Sequence, residues 1–180
     1  MEVRETSLRG CFTLQPVVHA DERGTLVKTY LESAFSAAGL PTHFPEQFFS
    51  QSMRGVVRGL HFQTLPAPQG KVVRCVSGEV FDVVVDLRAG SPTYGEHLTF
   101  SLTSENWTGL YVPVGFAHGF AALSDTATVA YLGTVEYRPG TDGGIRWDSA
   151  GITWPVDSPV ISGRDGELPV LGDFQTPFAL

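Results

Sequence analysis

Residues 80–87 read Val-Phe-Asp-Val-Val-Val-Asp-Leu, and their alternation decides how the chain folds. In an extended strand Phe81, Val83, Val85 and Leu87 share one face, while Asp82, Val84 and Asp86 share the other. Upstream, Lys71–Val76 reads as another strand, and Ser77-Gly78 supplies a turn, so the two are expected to form a hairpin. Downstream, Leu98, Phe100 and Leu102 alternate with Thr99, Ser101 and Thr103. Ala127–Tyr137 alternates as well, which places Val129, Tyr131, Val135 and Tyr137 on one side. A single helix signal stands out at Leu31–Leu40, rich in alanine and closed by Gly39. Short strands separated by turn signals, with 20 glycines and 12 prolines spread along the chain, predict an all-β sandwich or barrel. The interior of a small barrel can be lined with chemistry.

The 180 residues contain no repeat, low-complexity tract or linker, so residues 1–180 are expected to form a single domain. Hydrophobic residues make up 42% and charged residues 17%, a globular balance. The net charge of −7, with no basic run, argues against nucleic acid as a partner but leaves room for an anionic small molecule. No apolar run reaches membrane-spanning length, and the opening Met-Glu-Val-Arg-Glu lacks the apolar segment of a secretory signal. A soluble cytoplasmic protein without membrane association is expected. Cys11 and Cys75 are far apart and lack metal-site spacing, so they read as lone thiols.

Candidate chemistry begins at Arg58-Gly-Leu-His61-Phe-Gln63, where a strand would set His61 and Gln63 on one face. A neutral imidazole is well matched to abstracting a proton near neutral pH, although an isolated strand-end histidine is more often structural. Lys71, one of only two lysines with Lys28, could hold negative charge developing on a carbonyl oxygen if it points into the barrel. Otherwise it is a solvated surface charge. Tyr131 and Tyr137 share a predicted face. Such aromatic residues are more often core, but a phenol facing a polar cavity can deliver a proton.

The segment Pro113-Val-Gly115-Phe-Ala-His118-Gly119-Phe120 resembles the second sequence motif of the cupin superfamily of small β-barrels. Many cupins bind a metal through that histidine together with two histidines and a glutamate of a first motif. Here His61-Phe62-Gln63 supplies one histidine and no suitably spaced glutamate, so a metal-free barrel is expected.

Taken together, several segments resemble the dTDP-4-dehydrorhamnose 3,5-epimerase family of cupins. They are DERG (21–24), GVVRGLHFQ (55–63), QGKVVRCVSGEVFDVVVDLRAGSPTYG (69–95), LYVPVGFAHGFAAL (110–123), AYLGTVEYRP (130–139), GGIRWD (143–148), ITWP (152–155) and ISGRD (161–165). The resemblance implies a homodimeric cupin-type jelly-roll β-barrel with a few short helices and no cofactor. It implies epimerisation at C3, C5 or both of a nucleotide-diphosphate-linked 4-keto-6-deoxyhexose. In that reading His61 is the base, Asp165 orients it, Lys71 stabilises the enolate and Tyr131 is the proton donor. Asp82, His118 and Tyr137 line the pocket. Arg58 binds substrate, and Arg23 reaches the diphosphate from the partner subunit. Gln47 and Gln63 are expected among the substrate-binding residues as well. Two departures bear on the nucleotide. The family's Gln-x-Asn-x-Ser segment reads Glu46-Gln47-Phe48-Phe49-Ser50, and Thr25-Leu26-Val27-Lys28 stands where many members have an aromatic pair and a glutamate. Competing readings are a metal-dependent cupin enzyme and a nucleotide-sugar-binding barrel without catalysis.

Overall fold

In the computed structural model, which describes residues 1–180, the N-terminal part contributes β1 (Glu2–Glu5), β2 (Phe12–Gln15), β3 (Val18–Asp21) and β4 (Gly24–Val27). The six-residue helix α1 (Glu32–Ala37) leads into β5 (Glu46–Met53), β6 (Val57–Gln63), β7 (Lys71–Ser77) and β8 (Glu79–Asp86). β9 (His97–Thr103), β10 (Gly109–Val112), β11 (Phe116–Ala122), β12 (Thr126–Gly133), β13 (Asp142–Gly144) and a short helix α2 (Gly163–Gly166) complete the chain. Two antiparallel sheets run in the orders β1-β2-β10-β7-β12-β5 and β13-β6-β11-β8-β9, while β3 and β4 form a separate hairpin. This is the all-β jelly-roll barrel expected from the sequence.

The two faces of residues 80–87 are both buried, in different places. Val80 and Val84 meet Val73, Cys75, Val129 and Tyr131 of the opposite sheet inside the barrel. Val83, Val85 and Leu87 face outward, where Leu60, Phe62, Ile145 and Phe178 cover them. The Val-rich run therefore reflects a strand packed on both sides. The first sheet's outer face is covered around Leu14, Val72 and Tyr111 by Phe35 of α1. A six-residue helix is too short to persist in water alone. Phe35 anchors it, fully buried and edge-on to Tyr30 and Phe44, a burial worth about 2–3 kcal/mol. Gly39, at φ +71°, ends the helix region as its sequence position predicts.

Two expectations require correction. β7 and β8 do not form a hairpin: β7 pairs with β10 and β12, and β8 with β9 and β11. One residue, Gly78 at φ +78°, separates them, too few for a two-residue hairpin loop, and it turns the chain from one sheet to the other. The strand predicted to reach Tyr137 stops at Gly133, so Tyr137 follows in an irregular segment and is exposed. No helix is long and apolar enough to cross a membrane.

A Cβ on residue 78 would run into the Ser124 hydroxyl and the Thr126 carbonyl oxygen, on a backbone already left-handed. Gly78→Ala is therefore expected to cost roughly 2–4 kcal/mol, read as a lower urea midpoint with an unchanged slope.

Candidate active site

The site is built around a defect in strand pairing. His61 lies opposite His118 across β6 and β11, but Arg58 lies opposite Phe120, so β6 carries one extra residue. Strict alternation would send Arg58 to the face opposite His61. The bulge at Gly59-Leu60 resets it, and Arg58 and His61 line the same cavity. Gly59 adopts φ +134°, and a Cβ there would lie 2.7 Å from Gly119 Cα, so the close approach requires glycine.

The backbone N–H of Gly59 donates to Asp165 Oδ2 at 3.2 Å, and Asp165 Oδ1 lies 2.7 Å from His61 Nε2. Asp165 is buried on α2, where its own N–H donates to the Ser162 hydroxyl. Burial acts to raise its pKa, but the His61 hydrogen bond and charge, with Gly59 and Ser162, outweigh it and hold the carboxyl below its usual value. A carboxylate only accepts, so Nε2 carries the imidazole proton and Nδ1 keeps its lone pair.

A second pair sits deeper. His118 Nε2 lies 2.8 Å from Asp82 Oδ2, and both side chains are buried. Burial pushes Asp82 up despite His118 and Lys71, and pushes His118 down despite Asp82. Asp82 Oδ1 has no hydrogen-bond partner.

The opposite wall comes from the other sheet. Lys71 opens β7, half-buried, and burial pulls its ammonium from 10.5 down to about 8, with Asp82 and Asp142 opposing. On the neighbouring strand β12, Tyr131 is buried with its hydroxyl 3.4 Å from Ser50 Oγ. Burial raises the phenol well above its ordinary value, with Ser50 opposing. His61 and His118 on one sheet thus face Lys71 and Tyr131 on the other across a cavity of about 400 Å³.

The remaining predicted residues divide. Arg58 lines the cavity with Nε donating to Ser52 Oγ at 2.9 Å. Gln63 also lines it, but its amide is committed to the backbone of Ala67 and Arg138. Tyr137 reaches the mouth from its loop, its N–H donating to Glu46 Oε2 and its hydroxyl to Asp142 Oδ2. Gln47 requires correction. It is exposed on the outer face of β5, because alternation turns Glu46, Phe48 and Ser50 inward. Counting by two from Ser50 would have selected Glu46. Arg23 lies on the exposed β3–β4 turn, paired with Asp21, and is not among the cavity residues of its own chain. Sequence reading missed Gln69, Asp142 and Arg164, which also line the cavity. Arg164 of α2 and Asp142 of β13 pair at 2.7 Å, a meeting no local pattern announces.

The donor set does not suit the metal centre of other cupins. No group of three or more His, Cys, Asp or Glu side chains converges, and the two cavity histidines, His61 and His118, are each already bound to an aspartate.

A cupin-type jelly roll whose cavity gathers a carboxylate-bound imidazole, an ammonium and a phenol has the groups of an enzyme that moves protons. Known proteins narrow that class. The chain matches, over residues 5–173, the family described as dTDP-4-dehydrorhamnose 3,5-epimerase, and it belongs to that family. It is 48% identical over 166 residues to the dTDP-4-dehydrorhamnose 3,5-epimerase of Methanothermobacter thermautotrophicus, covering 89% of each chain. It superimposes with TM-score 0.93 and 40% identity on a 4-keto-6-deoxy sugar epimerase from the novobiocin cluster of Streptomyces spheroides, covering 96% of this chain and 88% of that one. The Legionella pneumophila epimerase solved with dTDP-4-keto-L-rhamnose gives TM-score 0.92 and 34% identity, over 97% of this chain and 94% of that one.

The depressed Lys71 pKa is also a statement about stability. An ammonium held near 8 against an unfolded value of 10.5 destabilises the fold below pH 8, and the penalty fades as pH rises towards 10.5. Lys71→Met should therefore stabilise the protein at pH 7 by roughly 1–3 kcal/mol while impairing turnover. Urea midpoints measured from pH 7 to 10.5 should show that gain shrinking.

Proposed function

We propose that this protein, acting as a single domain of residues 1–180, epimerises a nucleotide-diphosphate-linked 4-keto-6-deoxyhexose at C3, C5 or both. The observation that carries the reading is the His61–Asp165 pair, at 2.7 Å, sharing one cavity with Lys71 and Tyr131 of the opposite sheet. A proton beside a ketone is acidic only because its carbanion delocalises onto oxygen. Base and oxyanion partner must therefore act on the same carbonyl-bearing ring. His61, through Nδ1, takes the proton while Asp165 keeps the tautomer and stabilises the imidazolium. Lys71 meets the enolate oxygen, a preorganised charge worth about 3 kcal/mol in comparable sites. Its lowered pKa makes it a better proton sharer than a solvated lysine. Tyr131 then supplies a proton to the opposite face, and the configuration inverts. No step in this scheme calls on a cofactor.

Arg58, at the cavity, is read as a substrate-binding cation, with His118 and Tyr137 as cavity walls and Asp82 behind His118. Arg23 serves the diphosphate of a partner subunit in a homodimer. Support for a dimer comes from exposed apolar residues: Phe49 and Met53 on the outer face of edge strand β5, and Val17, Val18 and Leu26 on and beside the β3–β4 hairpin. We assign the reaction to the cytoplasm, consistent with two free buried thiols.

Turnover in deuterated water should place solvent deuterium at C3, C5 or both, and the labelled positions report which carbons are inverted. His61→Asn should abolish label at every carbon. Tyr131→Phe should still wash label into recovered substrate while yielding little epimer. No incorporation by the native protein, with thymidine, cytidine and guanosine substrates, would falsify the function.

Arg23→Ala should raise KM about tenfold with kcat little changed. Isolated heterodimers of Arg23→Ala and His61→Asn chains, assayed at substrate well below KM, should show about half the native activity, because one of their two sites has both native groups. Absence of recovery would remove the shared-site dimer.

A further inference from the structure

Phe48 is 40% exposed, which is unusual for a large apolar side chain with a partner close by. It lies directly opposite Tyr131 across β5 and β12. The two rings are nearly parallel, 8° apart in plane, with centroids at 4.5 Å, an offset stack. The edge-on contact of Tyr131 with His118 is looser, at 6.2 Å. The Tyr131 hydroxyl has one partner, Ser50 Oγ at 3.4 Å, beyond the usual range of an O–H···O bond. So weak a contact cannot by itself hold a phenol about two side-chain torsions. Packing from the barrel interior restrains the base of the ring, where Val73, Cys75 and Val129 lie in the same core. Phe48 restrains its plane from the cavity side.

We propose that Phe48 is a positioning residue for Tyr131: its ring holds the phenol in the plane from which Ser50 aims the hydroxyl, and so sets how often an enolate is completed to the inverted epimer. This rests on the function proposed above, in which Tyr131 protonates the face opposite His61. The chemistry balances without a further reactant. The C–H bond broken by His61 leaves an enolate and an imidazolium, an O–H bond of Tyr131 is broken as the new C–H bond forms, and water returns the proton from the imidazolium to the phenolate between turnovers. With the phenol misaligned, the enolate is reprotonated from the His61 side. The substrate is then returned labelled but uninverted.

The test partitions exchange from inversion. In deuterated water, deuterium is measured in recovered substrate and in epimer for the native protein, Phe48→Ala, Phe48→Asn and Phe48→Tyr. Phe48→Ala and Phe48→Asn should keep total exchange within about threefold, while the fraction of exchange events ending in epimer falls about tenfold. Phe48→Tyr, which keeps the stack, should restore that fraction. Exchange and epimer falling together would overturn the proposal. So would a raised KM at an unchanged fraction, which would make Phe48 a substrate-binding wall. A crystal structure of Phe48→Ala without substrate provides an arm that needs no activity, with Phe48→Asn in reserve if the alanine variant misfolds. Tyr131 should occupy a second side-chain rotamer, and an unmoved ring overturns the proposal. If the native protein labels no sugar, the proposed function fails, whereas the rotamer result still decides the role of Phe48.

Discussion

Gly59 and Gly119 bring the backbones of β6 and β11 closer than any side chain permits, since a Cβ on Gly59 would lie 2.7 Å from Gly119 Cα. That contact is what makes room for the extra residue in β6. The bulge turns Arg58 and His61 to one face, and it frees the Gly59 N–H from its cross-strand ladder. The freed donor meets Asp165, which holds Nε2 of His61. One steric condition thus links strand register to imidazole tautomer. The C-terminal segment is needed for the same reason: it delivers Asp165 on a helix of four residues, secured by the Ser162 cap.

The cavity is also electrostatically costly. Lys71, Asp82 and His118 are all shifted by burial towards their neutral forms, and Asp82 Oδ1 has no partner. A fold selected for stability alone would fill this space with the valines and phenylalanines that occupy the rest of the barrel. Stabilising such a site by apolar replacement would remove the charges that make it reactive. Unsatisfied charge at a site is the expected cost of a preorganised environment.

How much of this was legible in sequence depended on whether a residue obeys strand alternation. The two faces of residues 80–87 and the shared face of Val129 and Tyr131 followed from period two, and the structure has them so. The glycine-rich RGLH stretch did not, because its bulge moves Arg58 by a half-period that no count of apolar residues records. Gln47 was misassigned although alternation was available: Ser50 and Phe48 point inward, hence Glu46 does too. The supposed hairpin at Gly78 failed for another reason. A turn residue reports that the chain changes direction, not which strand it pairs with afterwards. Arg164 and Asp142 were invisible because long-range topology alone brings them together.

Two histidines line one cavity, each paired with an aspartate behind it, and their chemistry alone does not say which should serve as the proposed base. Solvent access separates them. The His61 side chain is 29% exposed and the His118 side chain 3%. An imidazole that takes a proton from substrate must pass it on before the next turnover, and hydrogen bonds to water provide the route. His61 has that access twice over, because a second cavity of about 350 Å³ opens beside Asp165 and shares His61 and Arg58 with the first. His118 lines the first cavity but not the second, and burial favours its neutral form. It is therefore suited to hold a fixed dipole in the wall, while the more exposed His61 suits the proposed role of base.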